Sequence, residues 1–246
     1  MAFPSPTKTY HTATYDAISP SLPALTQKGK NVIITGGGTG IGRGIALSFA
    51  KASASHIALL GRRLKPLEDT KNLITTSYPN VSVYVYRADV TDTAQLNTVF
   101  TSFAKDSNGP IHTLVANAGV HLGYSKAVDL DGDMFMKSLE ANALGTLNTF
   151  KAFIPHVPIE PDSTGFRARI IHTSSAAVQL DMPTNMTYAI GKFAAAKVMQ
   201  QVDAEHPDIF VLNYHPGLLE TEMSTNVKEG DPVFEFPDNG KSCYLF

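Results

Sequence analysis

Little in this sequence points to cross-links, metal or membrane. Of its 246 residues one is cysteine, Cys243, and none is tryptophan. A single thiol closes no intramolecular disulfide and builds no cysteine-based zinc site. The eight histidines show no HxxxH or HxH spacing beside acids, so no metal centre is expected. No run reaches the roughly eighteen apolar residues that a membrane helix requires. Neither sign of charge dominates, since 20 Lys and Arg face 22 Asp and Glu for a formal net charge of −2. Without a basic tract, the chain is expected to bind neither nucleic acid nor a membrane surface. Residues 1–29 carry Pro4, Pro6, Pro20 and Pro23, no arginine and no continuous apolar core. They read as neither a secretory signal nor a transit peptide. A reducing, cytoplasmic setting is the expectation that remains.

What is present is a rhythm. Short β-rich runs occur at "NVIIT" (31–35), "HIALL" (56–60), "VSVYVY" (81–86), "HTLVA" (112–116), "RIIHT" (169–173) and "DIFVLN" (208–213). Helical stretches lie between them at 41–52, 64–77, 93–105, 133–154 and 187–205. Strands alternating with helices of this length predict βαβ units, hence an α/β fold with a doubly wound parallel sheet in a single domain. The length suits one sizeable core. Three parts follow: an N-terminal extension over 1–29, a dinucleotide-binding and catalytic domain over 30–223, and a short tail over 224–246.

Two stretches carry chemistry. In "NVIITGGGTGIGRGIALSFA" an apolar strand runs straight into an amphipathic helix. Glycines at 36, 40 and 42 let the backbone turn and approach a pyrophosphate, which the helix N-terminus then holds. The strand-to-helix context lifts this above an ordinary glycine-rich turn. In "TYAIGKFAAAK" (187–197), Tyr188 and Lys192 stand four apart on one face of a helix. On a wet surface such a pair does little. In a cleft, an ammonium beside a phenol can lower the phenol's ordinary pKa, near 10, and make it an acid–base group.

The spacing T-G-x-x-x-G-x-G from Thr35 resembles that of the short-chain dehydrogenase/reductase family. The resemblance extends over about residues 30–223. "DVTD" (89–92) follows the third strand, "NAG" (117–119) ends the fourth, and "HPG" (215–217) follows the sixth. "HTSS" (172–175) puts Ser175 thirteen positions before Tyr188, as the family spaces its serine. That spacing alone selects Ser175 over Ser174.

The resemblance implies a Rossmann fold and an oxidoreductase that interconverts a ketone and a secondary alcohol. Tyr188 would transfer the proton, Ser175 would hydrogen-bond the reacting oxygen, and Lys192 would serve both the phenol and the nicotinamide ribose. Asn142, in "LEANALGT", would hold a water that links the lysine to solvent. The nicotinamide cofactor would lie against Gly36, Thr39, Gly40, Ile41, Gly42, Asp89, Val90, Asn117, Ala118, Gly119, Pro216, Gly217, Leu219 and Thr221. An NAD-preferring site usually carries an acid at the end of the second strand. Here "LLGRR" offers Gly61 and then Arg62 and Arg63, which favours NADP(H), because a guanidinium can hold a 2′-phosphate that a carboxylate would repel. The alternative is that both arginines are solvated surface charges.

Leu180, Met182, Met186, Tyr124 and Leu218 are expected to border a pocket for a small hydrophobic carbonyl or alcohol. His215 fits either a place near the cofactor or a packing role. Family members continue past the position of Thr221 with further helices and a seventh strand. The residues after Thr221 here hold no strand-like run, so six strands are expected, with the sixth at an edge. Two other readings use the same residues: a cofactor-binding protein without turnover, and a non-redox isomerase or cyclase. A homodimer through the helices around the fifth strand, 133–154 and 187–205, completes the expectations.

Overall fold

The computed structural model describes residues 14–161, 165–217 and 219–225. Six strands form one sheet: β1 Asn31–Thr35, β2 His56–Gly61, β3 Ser82–Arg87, β4 Thr113–Ala116, β5 Arg169–Thr173 and β6 Phe210–Tyr214. All neighbours pair in parallel, in the spatial order β3-β2-β1-β4-β5-β6. The expected strands all form, within about two residues of their predicted ends. The helices are α1 Gly40–Lys51, α2 Leu64–Ser77, α3 Thr93–Asp106, α4 Gly132–Leu139, α5 Gly145–Phe153, α6 Met186–Glu205 and a single turn, α7 Glu222–Thr225.

Alternation along β1 explains the two layers. Ile33 faces a core built from Leu96, Phe100 and Phe103 of α3, Phe153 of α5 and Met199 of α6. Val32 and Ile34 face the opposite core, against Ile45 of α1 and Leu67 and Ile74 of α2. Every residue of β1 is buried, as a central parallel strand covered on both faces must be. Phe100 and Phe103 have no exposed surface, and each such ring contributes roughly 1.5–3 kcal/mol by burial. β6 lies at the sheet's edge, where Phe210 and Leu212 remain 49% and 42% exposed.

One predicted element differs. The helix expected over 133–154 is α4 and α5 joined through a π-turn, Glu140–Leu144. The cause lies in the turn's neighbours. Asn142 is pulled onto the loop after β4, where its Oδ1 accepts from Val120 N (2.9 Å) and its Nδ2 donates to Val120 O (3.0 Å). Its Nδ2 also donates to Ser138 Oγ (3.1 Å). A widened turn that re-aims one side chain is the usual use of π geometry.

The strand order reverses between β1 and β4, and a single hydroxyl ties that junction. Thr35, 1% exposed, accepts from Asn117 N and Ala118 N at 3.0 Å each and donates to Val115 O (3.3 Å). Thr35→Val keeps the shape and leaves two N–H groups without their acceptor. We expect a loss of about 1–3 kcal/mol, or about 2–4 °C in Tm per kcal/mol, measured by thermal unfolding. An unchanged Tm would show that the hydroxyl is not needed there.

Candidate active site

The crevice opened by the β1–β4 reversal is where a doubly wound sheet binds its ligand. A cavity of about 820 Å³ lies there, bordered by Gly36, Thr39, Gly40, Ile41, Gly42, Arg62, Arg63, Asp89, Val90, Asn117, Ala118, Gly119, Tyr188, Lys192, Pro216 and Thr221. Most of the residues that the sequence singles out meet here, although Asn142 and Ser175 do not border the cavity. Gly217 and Leu219 stand off the wall, Leu219 accepting through its carbonyl from Ser224 Oγ (3.0 Å). Leu218 lies outside the described residues.

The glycine loop suits an anionic ligand. Gly36 has φ +68°, and a Cβ there would stand 2.9 Å from Asn117 Nδ2. At Gly42 a Cβ would stand 2.1 Å from the Gly36 carbonyl oxygen, so any side chain would fill the cradle. Thr39, the N-cap of α1, makes no side-chain cap, which leaves first-turn N–H groups to face the crevice. The residues present therefore fit a dinucleotide pyrophosphate. Asn117 braces the cradle by donating from Nδ2 to Thr35 O (3.0 Å) and Gly36 O (3.4 Å). The sequence reading missed Arg43. Its guanidinium donates to Gly38 O (2.7 and 3.2 Å) and to Thr70 Oγ1 (3.1 Å), pinning the loop to α2. Only the folded chain brings those acceptors together.

At the end of β2, Gly61 does not owe its identity to packing. A Cβ there would meet only Leu67, at an ordinary 3.5 Å. The two arginines beyond it differ. Arg62 is exposed, with Nη1 3.9 Å from Asp89 Oδ2. Arg63 instead makes a two-pronged pair with Glu222, Nη1 to Oε1 at 2.7 Å and Nη2 to Oε2 at 2.6 Å. Asp89 is partly committed, since its Oδ1 accepts from Thr91 N (3.0 Å) and Thr91 Oγ1 (2.9 Å).

The other end of the crevice holds Tyr188, near the start of α6. The Ser175 hydroxyl lies beside the phenol and accepts from Ala177 N (3.2 Å), while Ser174 borders the crevice with its backbone N–H donating to Tyr214 O (2.8 Å). Burial pushes the Tyr188 pKa up, and the Ser175 hydroxyl opposes that rise. Lys192 is 4% exposed and its Nζ donates to Thr173 O at the end of β5 (2.8 Å). Burial pushes its pKa down to about 8. Gly119 makes room, since a Cβ there would lie 3.1 Å from Lys192 Nζ and 2.8 Å from Asn142 Oδ1. The Asn142 side chain bonds Val120 and Ser138, so its amide clamps the loop after β4.

Two histidines find their places. His215 accepts through Nδ1 from Ala176 N (3.1 Å), which fixes the turn after Ser175. His121, which the sequence reading passed over, packs its ring 5.2 Å from Tyr188 and 4.5 Å from Tyr124. Its Nδ1 accepts from Gly123 N (3.3 Å), so Nε2 carries the proton toward Asn185 Oδ1 (2.9 Å). Of the expected pocket residues, Tyr124 joins this ring stack. Met182 Sδ accepts from Asn185 Nδ2 at 3.8 Å, and Met186 is 39% exposed.

Comparison with known proteins agrees with this geometry. Residues 30–232 match the family pattern described as short chain dehydrogenase. The chain is 32% identical over 227 residues to a short chain dehydrogenase/reductase of Claviceps purpurea (strain 20.1), covering 91% of this chain and 73% of that one. It is 29% identical over 205 residues to an NADP-dependent 3-hydroxy acid dehydrogenase of Schizosaccharomyces pombe (strain 972), covering 82% and 76%. In fold it resembles an alcohol dehydrogenase from the archaeon Thermococcus sibiricus, solved in complex with 5-hydroxy-NADP. That likeness has a TM-score of 0.70 at 24% identity, over 84% of this chain and 82% of that one. With a glycine cradle, a serine–tyrosine pair and a lysine along one crevice, the chain belongs to the short-chain dehydrogenase family of oxidoreductases.

Proposed function

We propose that this chain is an NADP(H)-dependent oxidoreductase that interconverts a ketone and a secondary alcohol on a small hydrophobic substrate. One observation carries the reading: Tyr188 lines the crevice with the Ser175 hydroxyl beside it and Lys192 one turn further along α6. The cofactor, when bound, supplies or takes up a hydride. The chain's own groups handle the proton. A phenol whose pKa is raised by burial is fully protonated near neutral pH, which suits Tyr188 to donate to a carbonyl oxygen. Ser175 is placed to hydrogen-bond the same oxygen and stabilise its developing charge. Lys192, held at the end of β5, brings a positive charge beside the ribose position.

Support for NADP(H) comes from Gly61, where a carboxylate would fit and none is present, and from Arg62 beside it. The S. pombe relative is named NADP-dependent. A cytoplasmic setting belongs to the same proposal and rests on the scarcity of cysteine. So does a homodimer. Met186, Ile190 and Phe193 form an apolar row on α6, 39%, 39% and 56% exposed. Met136 of α4 and Leu144 of the π-turn are exposed as well. Apolar rows of this kind are covered when two copies meet about a twofold axis.

Three outcomes test the proposal. Tyr188→Phe removes the transferable proton and should lower turnover by about two orders of magnitude or more. NADPH binding, followed by fluorescence, should survive, and full activity in this variant would refute the mechanism. Arg62→Ala should erase most of a preference for NADPH over NADH, while Gly61→Asp should move affinity toward NADH. Equal affinities in the unmodified protein would reject the cofactor assignment. Light scattering at micromolar concentration should give a dimer mass, and Phe193→Asp should convert it to a monomer.

A further inference from the structure

The two arginines that follow Gly61 are not equivalent. Arg62 keeps its guanidinium 3.9 Å from the nearest carboxylate oxygen of Asp89, beyond hydrogen-bond reach. Both terminal nitrogens of Arg63 are already taken by both oxygens of Glu222. The two residues lie 159 positions apart, and each borders the crevice. Glu222 opens α7, and the residue before it, Thr221, lies against the glycine loop, within 3.2 Å of where a Gly40 Cβ would stand. The pair therefore joins the β2 end of the crevice to the segment after β6. Arg43 adds a second positive charge that acts on Glu222.

Resting on the NADP(H) reading above, we infer that Glu222 is a cofactor-specificity residue that competes with the 2′-phosphate for Arg63. A phosphate binds a guanidinium through the same two-pronged face that a carboxylate uses. Arg63 cannot offer that face to both. Arg63 and Glu222 are both largely exposed, and pairs of that kind are weak, so the phosphate can displace the carboxylate. The displacement still reduces apparent affinity, and it does so only for a cofactor that carries the phosphate. NADH presents no group that contests Arg63. Discrimination is thus set by three residues: Arg62 attracts the phosphate, while Arg63 and Glu222 together reduce the gain. Release of Glu222 also frees α7 from the end of β2, so binding at the adenosine end reaches the segment that carries Thr221.

The test is a binding cycle on the full chain, with NADPH and NADH affinities measured by calorimetry. Glu222→Gln keeps the shape and removes the competing charge. We expect it to tighten NADPH about two- to fivefold and to leave NADH unchanged, the range set by a weak exposed pair. In an Arg63→Ala background, Glu222→Gln should no longer affect NADPH. If the unmodified chain prefers NADPH and Glu222→Gln leaves its affinity unchanged or weaker, the inference fails while the NADP(H) reading stands. The same gain with and without Arg63 would replace competition with a general charge effect and overturn it. If the unmodified chain and Glu222→Gln both bind the two cofactors equally, both readings fall.

Discussion

The Thr35 hydroxyl holds the place where the sheet's strand order reverses, and the rest of the site is built outward from it. By accepting from Asn117 N and Ala118 N it fixes where β4 ends relative to β1. Asn117 then turns its amide onto the carbonyls of Thr35 and Gly36, which sets the glycine cradle. The chain continues to Gly119, whose missing side chain lets Asn142 and Lys192 approach from two different helical segments. One small polar group thus relates the glycine cradle to Lys192 and Asn142. Its bonds lie in a buried setting, where a polar group without a partner would be costly.

Polar groups are sorted by depth. The interior relies on neutral partners: Thr35, Asn117, Asn142 with Ser138, and His172 with Asn213 (Nδ1 to Oδ1, 2.6 Å). His172 is kept neutral because burial and the Lys192 charge push its pKa down to about 4, although the Asn213 bond pulls upward. Among the described residues, Gln27 Oε1 and Thr113 Oγ1 are the buried side-chain atoms without a partner. Ion pairs lie at the rim, where exchange is easy: Arg62 with Asp89, Arg63 with Glu222. A firm interior and an exchangeable rim suit a crevice that must admit and release a large anionic ligand.

Much of this could be read from the sequence, for a physical reason. The strands, the glycine loop and the spacing of Tyr188 and Lys192 are local patterns, and local geometry decides them. The order of motifs then carried the family. What escaped was every feature made by residues distant in the chain. Asn142 became a clamp because Val120 comes to meet it, and that meeting opens the π-turn between α4 and α5. Arg43 carries no local signal of its role, which arises only where Gly38 O and Thr70 Oγ1 surround it. His121 and Tyr188, 67 positions apart in the sequence, meet only through the fold. The direction in which a lysine points depends on a carbonyl at the end of another strand.

Lys192 carries a broader consequence. It is an ammonium enclosed by protein, and among the described residues no carboxylate pairs with it. Its folded pKa of about 8, against 10.5 when free, means that the unfolded chain holds a proton more readily than the folded one. Folding stability therefore rises as pH climbs from about 8 toward 10.5, and at neutral pH the charged lysine weakens the fold. An apolar residue of similar length at this position would relieve that strain while removing the positive charge beside the proposed ribose site. Selection for heat resistance alone would thus favour chains that have lost their chemistry. Thermal robustness and the chemistry proposed for this lysine pull the position in opposite directions.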